Sequence, residues 1–161
     1  MNQTYIEVLV AREQNTGAGM GKILCGILAV LALGMMVVTP IAIVPAVAFG
    51  VGAYFCYLEE WVEYEYTYIS RELTIDKIMA RSKRKQIAVY LLDKIEIAAP
   101  EKSYRLDNYR HKKCETKDYS SKKGKNPFVF YYEGNKKIVL EADAGLIQML
   151  HNAAPSKIFA D

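Results

Sequence analysis

Between Lys22 and Glu59 the chain runs for 36 residues without a charged side chain, and a Thr39-Pro40 pair stands near the middle. One straight helix of that length would reach about 54 Å, against a bilayer core about 30 Å thick. Broken at Val38-Thr39-Pro40, the stretch instead supplies two spans of a membrane hairpin, expected over residues 21–38 and 41–58 within a segment 19–58. Pro40 and Pro45 then fall at the start of the second helix, where a missing amide donor costs least. A cleaved signal peptide with Ala46-Val47-Ala48 at its end is the rival reading. It fits poorly, because the apolar run far exceeds an h-region of about 7–15 residues and two acids precede it.

Charge divides the chain. Residues 59–161 hold 19 of the 21 Lys and Arg and 16 of the 18 Asp and Glu, a polar domain of net charge +3. That excess is too small to demand nucleic acid as a partner. The turn between the two spans has no Lys or Arg, whereas Arg12, Lys22, Arg71 and Lys77 flank the hairpin. The positive-inside rule therefore expects a multi-pass protein of the cell membrane with both termini in the cytoplasm. Lys22, Tyr54, Tyr57 and Trp61 are expected at the membrane interface, the lysine snorkelling and the aromatics forming a belt. Gly17, Gly21, Gly26, Gly34, Gly50 and Gly52 give small-residue faces, for packing inside the hairpin or for a homo-oligomer or protein partner. The three cysteines make no disulfide framework; Cys25 and Cys56 read as small packing residues.

The polar part alternates like β structure. Residues 5–10, in the N-terminal segment 1–18, are rich in β-branched side chains and read as a strand able to join the sheet beyond the hairpin. Val62, Tyr64, Tyr66 and Tyr68 share one face of a strand, and Glu63, Glu65, Thr67 and Ile69 the other. Further strands are expected over residues 73–79, 86–90, 95–98, 128–132 and 136–141, the last two joined by a Gly134-Asn135 turn. Residues 81–85 read as a basic loop. Residues 101–126 read as a long basic loop with one short strand near 114–118. Asp143 is a good N-cap for a final amphipathic helix over about 143–154, with Leu146, Ile147, Met149 and Leu150 as its apolar stripe and Pro155 beyond its end.

Tyr66-Thr67-Tyr68-Ile69, Leu73-Thr74-Ile75, the basic loop and then Val89-Tyr90-Leu91-Leu92-Asp93-Lys94-Ile95-Glu96-Ile97 resemble the early strands of bacterial membrane-anchored pleckstrin-homology-like proteins. The resemblance implies an α+β membrane protein: a two-helix transmembrane hairpin, then a small antiparallel β-barrel or sandwich over 59–161, capped by the C-terminal helix. The chain departs from that pattern in its 101–126 insertion, in lacking a Gly after Asp76 and in placing a strand before the hairpin.

No catalytic constellation stands out, and an enzyme is not expected. Gly17-Ala18-Gly19-Met20-Gly21-Lys22 fails as a phosphate loop, since Thr16 and Ile23 stand where Gly and Ser or Thr are needed. His111 and Cys114 supply two candidate metal ligands where a zinc site needs three or four, so no metal or cofactor is expected. The stronger candidates are basic. Arg81, Lys83, Arg84 and Lys85 put four cations in five residues, beside a bilayer whose anionic headgroups would be locally concentrated. A second run of Arg105, Arg110, Lys112, Lys113, Lys117, Lys122, Lys123 and Lys125 is interleaved with Tyr104, Tyr109 and Tyr119. Among these, Lys112 and Lys113 join the candidate contacts for lipid or a protein partner. The expected function is a membrane-anchored, cytoplasm-facing interaction module. The alternative is an accessory subunit of a transporter or secretion complex, held through its hairpin.

Overall fold

The computed structural model describes residues 5–124 and 127–160; residues 1–4, Lys125, Asn126 and Asp161 lie outside them. The expected N-terminal strand is thus described from Tyr5 onward, and Lys125 of the second basic run is not. The chain falls into two compact units. One holds the stretch through Arg12, residues 63–77 and the chain from Lys85 on; the other holds residues 13–62 and 78–84.

The second unit is built on an antiparallel helix pair, α1 (Thr16–Met35) and α2 (Ile43–Glu60), joined through a short 3-10 turn at Pro40–Ala42. Helix α1 starts earlier than the sequence suggests, because the Asn15 side chain accepts from the Ala18 amide and caps it there. The glycine-rich stretch before Lys22 is therefore helix rather than loop. Helix α1 also ends before residue 38. Val37, Val38 and Thr39 are β-branched, and Pro40 drives Thr39 into extended backbone (φ −133°, ψ 104°). Twenty residues of helix span about 30 Å, one hydrocarbon thickness. Both helices are long and apolar enough to cross a membrane, and only 6% and 17% of their apolar windows are buried in protein. A core helix of a soluble domain would be mostly covered. Helix α1 comes close to α2 at Gly21, where an added Cβ would stand 3.2 Å from Cys56 Sγ.

The first unit contains sheet B and most of sheet A, each four-stranded; Val62, the end of β3 and the start of β4 belong to the second unit. Sheet A runs β1 (Ile6–Ala11), β2 (Val62–Ile69), β3 (Glu72–Met79), β4 (Lys83–Leu91) in that order; sheet B runs β5 (Ile95–Pro100), β7 (Phe128–Tyr132), β8 (Lys136–Leu140), β6 (Glu115–Asp118). Strand β1 lies antiparallel to β2, pairing Ile6 with Tyr68 and Ala11 with Glu63, so the hairpin is inserted between two neighbouring strands of one sheet. The alternation of β2 does what its pattern requires: Val62, Tyr64, Tyr66 and Tyr68 are buried. Leu73 and Ile75 of β3 and Phe128, Phe130, Ile138 and Leu140 of sheet B are buried too, and the Tyr90 ring of β4 meets Tyr132 of β7 at 5.1 Å between centroids. Helix α4 (Ala144–Ala153), capped by Asp143 accepting from Leu146 N at 2.8 Å, adds fully buried Leu146 and Leu150. Ile158 then returns to the edge of β5, bridging Ala98.

Several expectations are corrected. The two sheets do not close into a barrel, and sheet B is mixed, because β6 runs parallel to β8. Strand β4 begins at Lys83, so Lys83, Arg84 and Lys85 are strand residues and the loop shrinks to a tight turn. The β7–β8 turn places its left-handed residues at Glu133 and Gly134, one position earlier than Gly134-Asn135. Residues 101–118 contain the expected short strand, β6, but the stretch before it is not loop alone: α3 (Asp107–Arg110) and its flanks pack Leu106, Tyr109 and Cys114 onto Ala99, Val129 and Tyr131 on the outer face of sheet B.

Tyrosines tie the insertion to the core. Tyr66 Oη donates to the Tyr119 carbonyl at 2.6 Å, and the hydroxyls of Tyr90 and Tyr119 are 3.1 Å apart. Burial is the main cause that raises the pKa of both Tyr66 and Tyr90 above its ordinary value near 10. A group whose folded pKa is raised contributes stability that is complete below its unfolded pKa and fades as pH rises above it. The fold is thus expected to weaken from about pH 10 upward. Tyrosine absorbance followed beside near-ultraviolet circular dichroism checks this: ionisation of these two should coincide with loss of tertiary signal, and Tyr90→Phe should soften the pH slope.

Candidate functional site

Tyr54, Tyr57 and Trp61 are spaced three and four apart at the end of α2, so the helical period sets them along one side, where α2 gives way to extended backbone at Trp61 (φ −120°, ψ 102°). All three are partly exposed. The β3–β4 turn comes to the same place. Ala80 N donates to the Trp61 carbonyl at 2.8 Å, and Ser82 N closes the turn onto Met79 O at 3.1 Å.

Each aromatic ring then carries a cation from a different element. Lys83 Nζ of β4 stands 4.8 Å from the Tyr54 ring centroid, the Arg81 guanidinium of the turn 5.8 Å from Trp61, and Lys22 Nζ of α1 5.8 Å from Tyr57. Such contacts contribute about 0.5–1 kcal/mol each at exposed sites. A cavity of about 410 Å³ opens between Tyr57, Trp61, Ala80 and Arg81. The turn holds Ala80 and Arg81 at φ 49° and 54°, in the left-handed region that Asn-Gly would occupy without strain. Each non-glycine residue there costs about 1 kcal/mol.

One acid organises this cluster. Glu60 is buried, ion-paired to Lys22, and accepts from Gln14 Nε2 at 3.0 Å, while its backbone carbonyl accepts from Asn15 N at 3.1 Å. The start of α1 is thereby fastened to the end of α2. Lys22 is held between the Glu60 carboxylate and the Tyr57 ring.

Of the residues singled out in the sequence, Lys22, Tyr54, Tyr57, Trp61, Arg81 and Lys83 come together here. Arg84 lies in the same unit on β4. Lys85, also exposed on β4, belongs to the other unit, as do Lys112 and Lys113. Lys112 is paired with Glu96 at 3.1 Å and sits 4.5 Å from the Tyr109 ring centroid, and Lys113 is exposed. Sequence reasoning missed Glu60, Gln14 and the turn strain. Glu60 looked like one more charge past an apolar run, and only helix pairing reveals its partner. Among the described residues no cluster of three His, Cys, Asp or Glu is placed to hold a metal ion. His151 Nδ1 lies 2.6 Å from the Ile158 carbonyl, where it fastens the C-terminal segment.

A family model described as bacterial PH-like domain (DUF6106) matches residues 2–160, and the chain belongs to that family. The match runs through the hairpin as well as the sheets. Searches of curated proteins and of solved structures gave no match.

Proposed function

We propose that this PH-like chain is a membrane-anchored interaction module whose cation–aromatic cluster holds anionic lipid headgroups. The carrying observation is the stacking of Lys83 on Tyr54 and of Arg81 on Trp61, which sets the basic turn against the aromatic end of two membrane-length helices. Aromatic rings of this kind sit at headgroup level, and each cation near an anionic surface contributes about 1 kcal/mol. Membrane insertion is further supported by the uncovered apolar helix surface, and by β1, a strand of sheet A that cleavage of a signal peptide would remove.

The test uses full-length protein in uncharged detergent with short-chain phosphatidylglycerol or phosphatidylcholine added. A ligand bound only by the folded state raises the melting temperature. Phosphatidylglycerol should raise it and phosphatidylcholine should not, with the difference lost in the Arg81→Ala/Lys83→Ala double variant. Equal effects of the two lipids, or an undiminished effect in the variant, would refute the reading.

In our reading both termini face the cytoplasm, as the uncharged interhelical turn favours. With Cys25, Cys56 and Cys114 replaced by alanine, Lys113→Cys should react with a membrane-impermeant maleimide only after cells are opened. Labelling of intact cells would reverse the orientation. One observation favours the accessory-subunit alternative: an added Cβ at Gly26, Gly34 or Gly50 meets nothing within 4 Å, which leaves small-residue surface open to a partner helix. That reading expects a membrane protein to co-purify, and Gly26→Leu to release it.

A further inference from the structure

The outer face of sheet B carries a cavity that has no part in the lipid reading. The strand register sets Ile97, Tyr131, Lys137 and Thr116 in one row across β5, β7, β8 and β6. The insertion roofs this face with Leu106, Arg110, Lys112 and Cys114, and the roof stops short of closing. A cavity of about 310 Å³ remains. That is the volume of roughly ten liquid waters, at the small end of ligand pockets. It admits an anion with one ring.

The lining has two chemistries. Its floor is apolar and rigid: Leu106, Val129 and Tyr131 are 2%, 1% and 4% exposed, and the Tyr131 ring is braced by Tyr109 at 5.1 Å between centroids. Its rim is cationic. Arg110 at the end of α3, Lys112 just after it and Lys137 of β8 reach it, against the single carboxylate of Glu101. Two of the cations are fixed in place. Arg110 Nη2 donates to the Glu101 carbonyl at 2.8 Å and Nε pairs with Asp107 at 3.1 Å, while Lys112 pairs with Glu96 at 3.1 Å. Lys137 rises from the central row between Tyr131 and Thr116, and among the described residues no carboxylate pairs with it. An unpaired ammonium beside a hydroxyl, at the edge of an aromatic floor, suits an anionic group attached to an apolar body.

We propose that this pocket binds a small organic anion, with its phosphate or carboxylate at Lys137 and Thr116 and its ring on Tyr131 and Leu106. The probe is phenyl phosphate, titrated by calorimetry into the full-length protein in uncharged detergent, beside inorganic phosphate and phenol as its two halves. Phenyl phosphate should bind saturably and at least tenfold more tightly than either half. Lys137→Gln should weaken it by about tenfold or more, the loss of one charge-assisted contact, while Lys137→Arg should restore most of the affinity. Failure of phenyl phosphate to saturate, inorganic phosphate binding as tightly, or unchanged affinity in folded Lys137→Gln would each overturn the proposal. None of these outcomes bears on the headgroup cluster.

Discussion

Glu60→Ala should loosen the junction of the two helices more than any other single change in that unit. It removes a buried carboxylate that neutralises Lys22, accepts from Gln14 and helps bring the start of α1 to the end of α2. The loss comes mainly from stranding the Lys22 ammonium, about a third exposed, without its partner. Hydrogen exchange reads this directly. Amides over the first two turns of α1 should exchange about 30- to 100-fold faster, while those of sheet B stay unchanged. A Lys22→Met/Glu60→Leu double variant should recover much of the loss, because the harm lies in the stranded charge. Additive effects of the two single changes would contradict the pairing.

Tyr66→Ala should be the most damaging change in the sheets. The side chain is fully buried, and its hydroxyl donates to the Tyr119 carbonyl, so one residue fills the core and fastens the insertion. Truncating a large aromatic side chain typically costs about 3–5 kcal/mol. For a domain of this size that lowers the melting temperature by more than about 12 °C. Tyr66→Phe separates the two roles: it keeps the ring and loses one hydrogen bond, a cost of about 1 kcal/mol or slightly more. Thermal melts followed by near-ultraviolet circular dichroism should order the proteins wild type, Phe, Ala. Equal damage by both changes would mean that the hydrogen bond outweighs the ring.

Much of the fold was legible because its signals are local. The uncharged run marked two helices, the Val62–Tyr68 alternation marked a buried strand face, and Asp143 with its apolar stripe marked the capping helix. What escaped was set by tertiary partners. Residues 101–118 carry no period, since their structure comes from Leu106, Tyr109 and Cys114 resting on a sheet made by distant residues. Lys83 to Lys85 looked like a loop because charge was read as irregularity, whereas an edge strand tolerates lysine well. At the candidate site, the aromatic belt and the basic cluster were each visible in sequence. Their stacking was not, because Ala80 and Arg81 adopt a turn conformation their side chains do not favour. The row of Tyr131, Lys137 and Thr116 was equally hidden, since it depends on a parallel strand pairing that no local pattern announces.

Trp61 is the only tryptophan in the chain and carries Arg81 on its ring, so its fluorescence reports on the cation–aromatic cluster alone. The most direct measurement is its quenching in phosphatidylglycerol-containing nanodiscs by lipids spin-labelled either near the headgroup or near the chain end. Strong quenching by the headgroup-proximal label and little by the deep one is expected, weakened when Arg81 and Lys83 are replaced by alanine. Quenching by neither label, or stronger quenching from the bilayer centre, would contradict it.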